Sequence, residues 1–133
     1  MENKLSKALE ELTAAKNFAV GNDLVFVPEF KESCTELFKG KVYTEGEITY
    51  CDRFDDPILR YAATWAAKEA VYKALKQLDP SPIGWKKIEI TREKISGQPG
   101  VTIHRNGKQP NISLSISHDG DYVWAVALIE RQP

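Results

Sequence analysis

The sequence predicts an α+β fold, a long central helix packed on a mainly antiparallel sheet, and three observations carry that expectation. The first half spaces its apolar residues three and four apart, whereas from Trp85 onward they alternate with polar ones at period two. A long alanine-rich segment lies between two proline-marked boundaries, Asp55-Asp56-Pro57 and Asp79-Pro80-Ser81-Pro82. Asn106-Gly107 and Asp119-Gly120 punctuate the second half with short-turn chemistry. Helices followed by strands, with no internal repeat and no long linker, make one α+β unit.

Taken in order, Leu5, Leu9 and Leu12 stand at helical spacing among charges, so residues 3–16 should form an amphipathic helix. Phe18 to Val27 is rich in Val and Phe and reads as a strand interrupted at Gly21-Asn22-Asp23. Pro28 ends it, and residues 29–39 are expected to form one short helix with Phe30, Leu37 and Phe38 as its apolar contacts. Thr44 and Glu47 have the form of a capping box and should open a helix running to Tyr50 or Cys51. Asp56 followed by Pro57 starts the long helix, which should stop near Leu78. Ile88 and Ile90 alternate with charges as in a half-buried strand, and VTIHR leads into a hairpin at Asn106-Gly107. Ile112, Leu114 and Ile116 alternate with serines, Asp119-Gly120 turns the chain, and YVWAVALI closes it as a buried strand. The domain reading is a helical extension over 1–17 and a single domain over 18–133.

Composition excludes more than it proposes. The 133 residues carry 18 basic and 19 acidic side chains, a near-neutral balance unlike that of a general nucleic-acid binder. No segment approaches the roughly 20 apolar residues that cross a bilayer, and the N-terminus lacks a secretory apolar core. Cys34 and Cys51 make no disulfide framework and no zinc spacing. A cytoplasmic protein with no membrane or nucleic-acid partner is expected.

On the long helix, Glu69 falls at about −20° and Lys73 at about +20° from Ala62, with Ala66 and the flat Trp65 nearby. An ordinary solvated pair of this spacing contributes about 0.2–0.5 kcal/mol. Here the surrounding face is apolar nearly all round, and a charged pair on a buried helix needs partners or a metal. Asp23, in a Val/Phe strand just after Gly21, is either a turn or bulge residue or a hard oxygen ligand. Two carboxylates plus substrate phosphates are a usual way to hold Mg²⁺. His118 ends a strand beside Ser115 and Ser117, whose hydroxyls point away from Leu114 and Ile116. It is either an exposed turn histidine or part of a site. Ser117 and His118 are adjacent in a strand and there is no G-x-S-x-G elbow, so a serine hydrolase is rejected. No Walker A loop or GxGxxG is present.

Several separated segments resemble one family. GNDLV (21–25) is similar to the Gly-x-Asp-Ile/Leu-Val start of the holo-acyl-carrier-protein synthases, the short single-copy class of 4′-phosphopantetheinyl transferases. WAAKEAVYKAL (65–75) is similar to their signature nearly residue for residue. SLSISHDGDYVWAVAL (113–128) resembles their closing strands, and YTEGEITYC (43–51) a helix start of theirs. The resemblance covers about residues 18 to 130.

It implies a 4′-phosphopantetheinyl transferase-like fold and an Mg²⁺-dependent transfer, with Mn²⁺ as an alternative metal. The 4′-phosphopantetheine arm of coenzyme A would pass to a serine of an apo acyl carrier protein or carrier domain, releasing adenosine 3′,5′-bisphosphate. Asp23 and Glu69 take the positions of metal ligands, Glu69 and Lys73 those of catalytic groups. Lys68, Lys73, Ser115, Ser117 and His118 take positions at the coenzyme A site. The resemblance also implies a homotrimer with sites between protomers. Two positions depart from the family pattern. Thr64 stands where an Arg often precedes the aromatic residue, so Arg53, Arg60 or Lys76 would have to replace a phosphate contact. Glu29 stands where many members dock the carrier with an Arg, which turns attention to Lys31, Lys39 and Lys41. The alternative reading is a catalytically silent relative that binds coenzyme A or a carrier domain.

Overall fold

The longest element begins where Asp56 and Pro57 place it. Asp56 accepts a hydrogen bond from the Leu59 amide at 3.3 Å, and Pro57 occupies the first turn, where an N–H would have no helical partner. In the computed structural model, which describes residues 17–131 together with Lys4 and Lys7, this helix, α4, runs Pro57–Leu78. Lys76 closes its end by donating to the carbonyls of Pro80 and Ser81. Three short helices precede it: α1 (Val27–Ser33), α2 (Glu36–Val42) and α3 (Glu45–Cys51). The strands are β1 (Phe18–Phe26), β2 (Ile88–Arg92), β3 (Pro99–Ile103), β4 (Asn111–Asp119) and β5 (Tyr122–Glu130). The helix expected over 3–16, and with it the extension 1–17, falls outside the described residues apart from Lys4, Lys7 and Asn17.

Two antiparallel sheets form, one ordered β1-β5-β4 and one pairing β2 with β3. Register puts Ala19, Gly21, Asp23 and Val25 of β1 in rows with Ile129, Ala127, Ala125 and Val123 of β5. These rows face α4, whose Ala62, Ala66, Ala67, Ala70, Val71 and Ala74 are fully buried. Small side chains let backbones approach. A Cβ at Gly21 would run into the Ala70 carbonyl oxygen and come within 2.7 Å of the Ala74 nitrogen. Glycine is the residue that permits the crossing.

Four expectations need correction. β1 is continuous through Gly21-Asn22-Asp23, because Asp23 stays in register opposite Ala125. Residues 29–39 form parts of two helices, since Thr35 accepts from the Phe38 amide at 3.1 Å and starts a second one. Leu37 is therefore turned outward and 70% exposed instead of packing. Asn106-Gly107 is not a hairpin turn between paired strands, because β3 pairs with β2 and β4 with β5, and the pair lies in the connection between the sheets. The other elements stand where the sequence puts them, and the Thr44–Glu47 capping box is complete in both directions. β5 is buried on one face only, with Tyr122 and Trp124 exposed on the other.

Candidate active site

The crossing of α4 over Gly21 decides what lies beside Asp23. Glu69 and Lys73 flank Ala70 and Ala74 in sequence, so the close approach brings both side chains to the same edge of β1. Lys73 Nζ donates to Asp23 Oδ1 and to the Asn22 carbonyl, each at 3.0 Å. The ammonium is half-exposed, whereas the Asp23 carboxylate is largely covered. The Glu69 carboxyl is pushed up to about 7, first by burial and then by the negative charge of Asp23, with Lys73 opposing. A carboxylate near enough for Asp23 to raise its proton affinity leaves room for one more positive charge between the two.

Beside these carboxylates opens a pocket of about 450 Å³. Phe26, Phe30, Phe38 and Trp65 form its apolar wall, Asp23 and Glu69 its polar end, and Glu29 also lines it. Trp65 is held edge-on by Phe38 at 5.3 Å and Trp85 at 4.7 Å between ring centres. Asp23, Glu69 and Lys73, singled out from sequence, thus meet. The carboxylate oxygens of Asp23 and Glu69 are the hard donors Mg²⁺ takes, and two carboxylates suit an ion that keeps waters and binds substrate phosphates. Among the described residues no group of three or more His, Cys, Asp or Glu converges as a fuller cage.

The other expected site residues lie elsewhere. Ser117 and His118 line a separate hollow of about 580 Å³ with Asn22, Leu24, Tyr122 and Trp124. Ser115 is exposed on β4 opposite Val126. Within one chain these three do not converge with Glu69.

Lys68 needs a plain correction, because it is fully buried and cannot touch a bound ligand from where it stands. Its ammonium donates to Glu47 Oε1 at 2.7 Å, Glu47 Oε2 at 3.0 Å and the Ile88 carbonyl. Burial lowers its proton affinity, against the attraction of Glu47. Of the basic residues expected to replace an Arg at buried Thr64, Arg60 lies 4.0 Å over the Phe54 ring and Lys76 is tied to the helix end. Arg53 lines a third hollow, with Tyr50 and Arg92. Sequence reasoning missed the aromatic wall from α1 and α2, whose only signal was the Phe-rich composition of 26–38. It also missed the second role of Glu47, hidden behind its capping one.

The chain is similar to known proteins over most of its length. The sequence model of the 4′-phosphopantetheinyl transferase superfamily matches residues 19–127. The holo-[acyl-carrier-protein] synthase of Thermodesulfovibrio yellowstonii is 42% identical over 113 residues, covering 83% of this chain and 96% of that protein. The fatty acid synthase subunit alpha of Candida parapsilosis is 35% identical over 136 residues, covering 96% of this chain and 7% of that protein. A coenzyme A complex of the ACPS of Chronobacterium ammoniagenes superposes with a TM-score of 0.73 at 28% identity, covering 87% of this chain and 98% of that one. Sequence match, fold and the meeting of Asp23 with Glu69 all lead to one assignment: this chain belongs to the 4′-phosphopantetheinyl transferase superfamily.

Proposed function

We propose that the chain transfers the 4′-phosphopantetheine arm of coenzyme A to a serine of an apo acyl carrier protein or carrier domain, in keeping with relatives named holo-[acyl-carrier-protein] synthases. The observation that carries this reading is the convergence of Asp23, Glu69 and Lys73 beside an apolar pocket in a member of this superfamily. The carrier serine oxygen attacks the pyrophosphate phosphorus nearer the pantetheine. A P–O bond forms there while the bond to adenosine 3′,5′-bisphosphate breaks. Glu69, whose carboxylate lies at the polar end of the pocket, accepts the serine proton. The Lys73 ammonium lies one turn along the same face and meets the negative charge that grows on the leaving bisphosphate. Asp23 and Glu69 would hold Mg²⁺ or Mn²⁺, which supplies charge neutralisation of the pyrophosphate. The aromatic wall excludes water on the pantetheine side.

The same proposal includes a homotrimer and a cytoplasmic setting, with residues 18–133 as the transferase domain. Support for assembly is the sheet face turned away from α4, where Phe18, Val20, Leu24, Phe26, Tyr122 and Trp124 are all exposed. A contiguous apolar face of this kind marks an interface. A neighbour seated on it brings Ser115, Ser117 and His118 toward another protomer's Glu69, which accounts for their separation within one chain. Both cysteines are free and buried, as suits a reducing compartment. Relatives named both as holo-[acyl-carrier-protein] synthases and as a fatty acid synthase subunit keep a free carrier protein and a carrier domain together as acceptors.

The buried Thr64 and the acidic Glu29 favour one second reading, a silent relative that binds without transfer. Incubation with coenzyme A, Mg²⁺ and an apo carrier domain decides between them. A mass gain on the carrier that disappears with Glu69→Gln supports transfer. Coenzyme A binding without mass gain supports the silent relative.

A further inference from the structure

We propose that Lys68 is a positioning residue, whose buried pairing with Glu47 sets the rotation of α4 and so carries Glu69 to Asp23. The proposal rests on the transfer reading above. The pairing leaves nothing unused, because the Lys68 ammonium has three acceptors, two on Glu47 and one at Ile88. Glu47 in turn accepts from the Thr44 amide at 2.8 Å and the Ile90 amide at 2.8 Å. Four segments are tied at one point: the α3 cap, α3, β2 and α4. Side-chain exposure is 0% for Lys68 and 1% for Glu47, so no ligand reaches them.

Taking two charges out of water costs about what their attraction returns, so a buried pair adds little to stability over an apolar substitute of like volume. Such networks specify geometry instead. Here geometry is in demand. Contact with Gly21 sets how closely α4 approaches β1, and the Lys68–Glu47 pair, on another side of the helix, holds how it is turned. Adjacent residues on a helix point about 100° apart, so a fixed direction for Lys68 fixes the direction of Glu69. Turning α4 by about 10° moves a carboxylate about 6 Å from the axis by about 1 Å. A displacement of that size costs about 10²-fold in rate when the group acts at the reacting atoms.

The test is the double variant Lys68→Met/Glu47→Gln, which removes both charges, keeps side-chain volume and leaves a carbonyl oxygen for a backbone amide. Its thermal melt is followed beside steady-state transfer with coenzyme A, Mg²⁺ and an apo carrier. The expected result is a cooperative melt, kcat lowered about 10²-fold and both KM values within about twofold of the unsubstituted chain. Folded protein with unchanged kcat overturns the proposal, as does a loss expressed in KM alone. Should the double variant not fold, the neutral hydrogen-bonding pair Lys68→Gln/Glu47→Gln decides by the same split between kcat and KM. No transfer by the unsubstituted chain overturns the function itself, whereas equal transfer by chain and variant overturns only the role of Lys68.

Discussion

The raised proton affinity of Glu69 makes the metal-free fold sensitive to alkali at one residue. An ordinary glutamate loses its proton near 4.5, and Glu69 is pushed up to about 7. The folded state therefore binds the proton more tightly than the unfolded state does. Its contribution to stability is fully present below the unfolded value and is lost as pH rises between about 4.5 and 7. A tenfold difference in proton affinity is worth about 1.4 kcal/mol, which caps the loss across this window at about 3.4 kcal/mol. Glu69 is half-buried and water screens it, so about 1–2 kcal/mol is expected. Glu69→Gln cannot titrate and escapes the loss. Melting both proteins in EDTA from pH 5 to 9 should give nearly equal midpoints at pH 5. The gap then opens in favour of the variant and levels at about 3–7 °C above pH 7.5. Millimolar Mg²⁺ at pH 8 should raise the wild type more than the variant. A gap that is independent of pH, or that favours the wild type in EDTA at pH 8, would refute the account of Glu69 as a carboxylate crowded by burial and by Asp23.

Three further outcomes follow from the same geometry. Lys73→Ala should lower kcat by about 10²-fold while the carrier KM holds, measured by steady-state transfer, if the ammonium meets the leaving-group charge as proposed. Gly21→Ala should destabilise the fold by about 1–3 kcal/mol in urea titration, because the added Cβ meets the backbone of Ala70 and Ala74 and not a flexible side chain. Leu24→Lys with Trp124→Glu should reduce the sedimenting mass to that of one chain in analytical ultracentrifugation. Both residues are exposed on the apolar sheet face, at 61% and 49%.

Elements whose signal is local were legible in the sequence alone. The Thr44–Glu47 cap, the Asp56-Pro57 start and the alternation of Ile112, Leu114 and Ile116 each depend on residues within a few positions. The three groups of the site were legible for the same reason, since Glu69 and Lys73 share a helix face and Asp23 is an odd residue for a Val/Phe strand. What failed depended on distant partners. Gly21 looked like an interruption of a strand, and only the arrival of Ala70 explains it as an accommodation for α4. By resemblance Lys68 reads as a cation at the coenzyme A site until Glu47, twenty-one residues away, is seen beneath it. Asn106-Gly107 carries hairpin chemistry, yet which strands pair was settled by the sheets and not by the turn.

The register of β1 on β5 has a consequence for how this site comes into being. Asp23 is placed by a ladder to Ala125, a partner about a hundred residues later, and Gly21 by Ala127 in the same ladder. Contacts so distant in sequence carry a large loop-closure cost and form late and slowly. On a ribosome, Glu69 and Lys73 can be helical long before Asp23 has a strand to pair with. The carboxylate pair is thus assembled by the last strand of the fold, and a nascent chain lacking β5 holds the helix of the site without its other half.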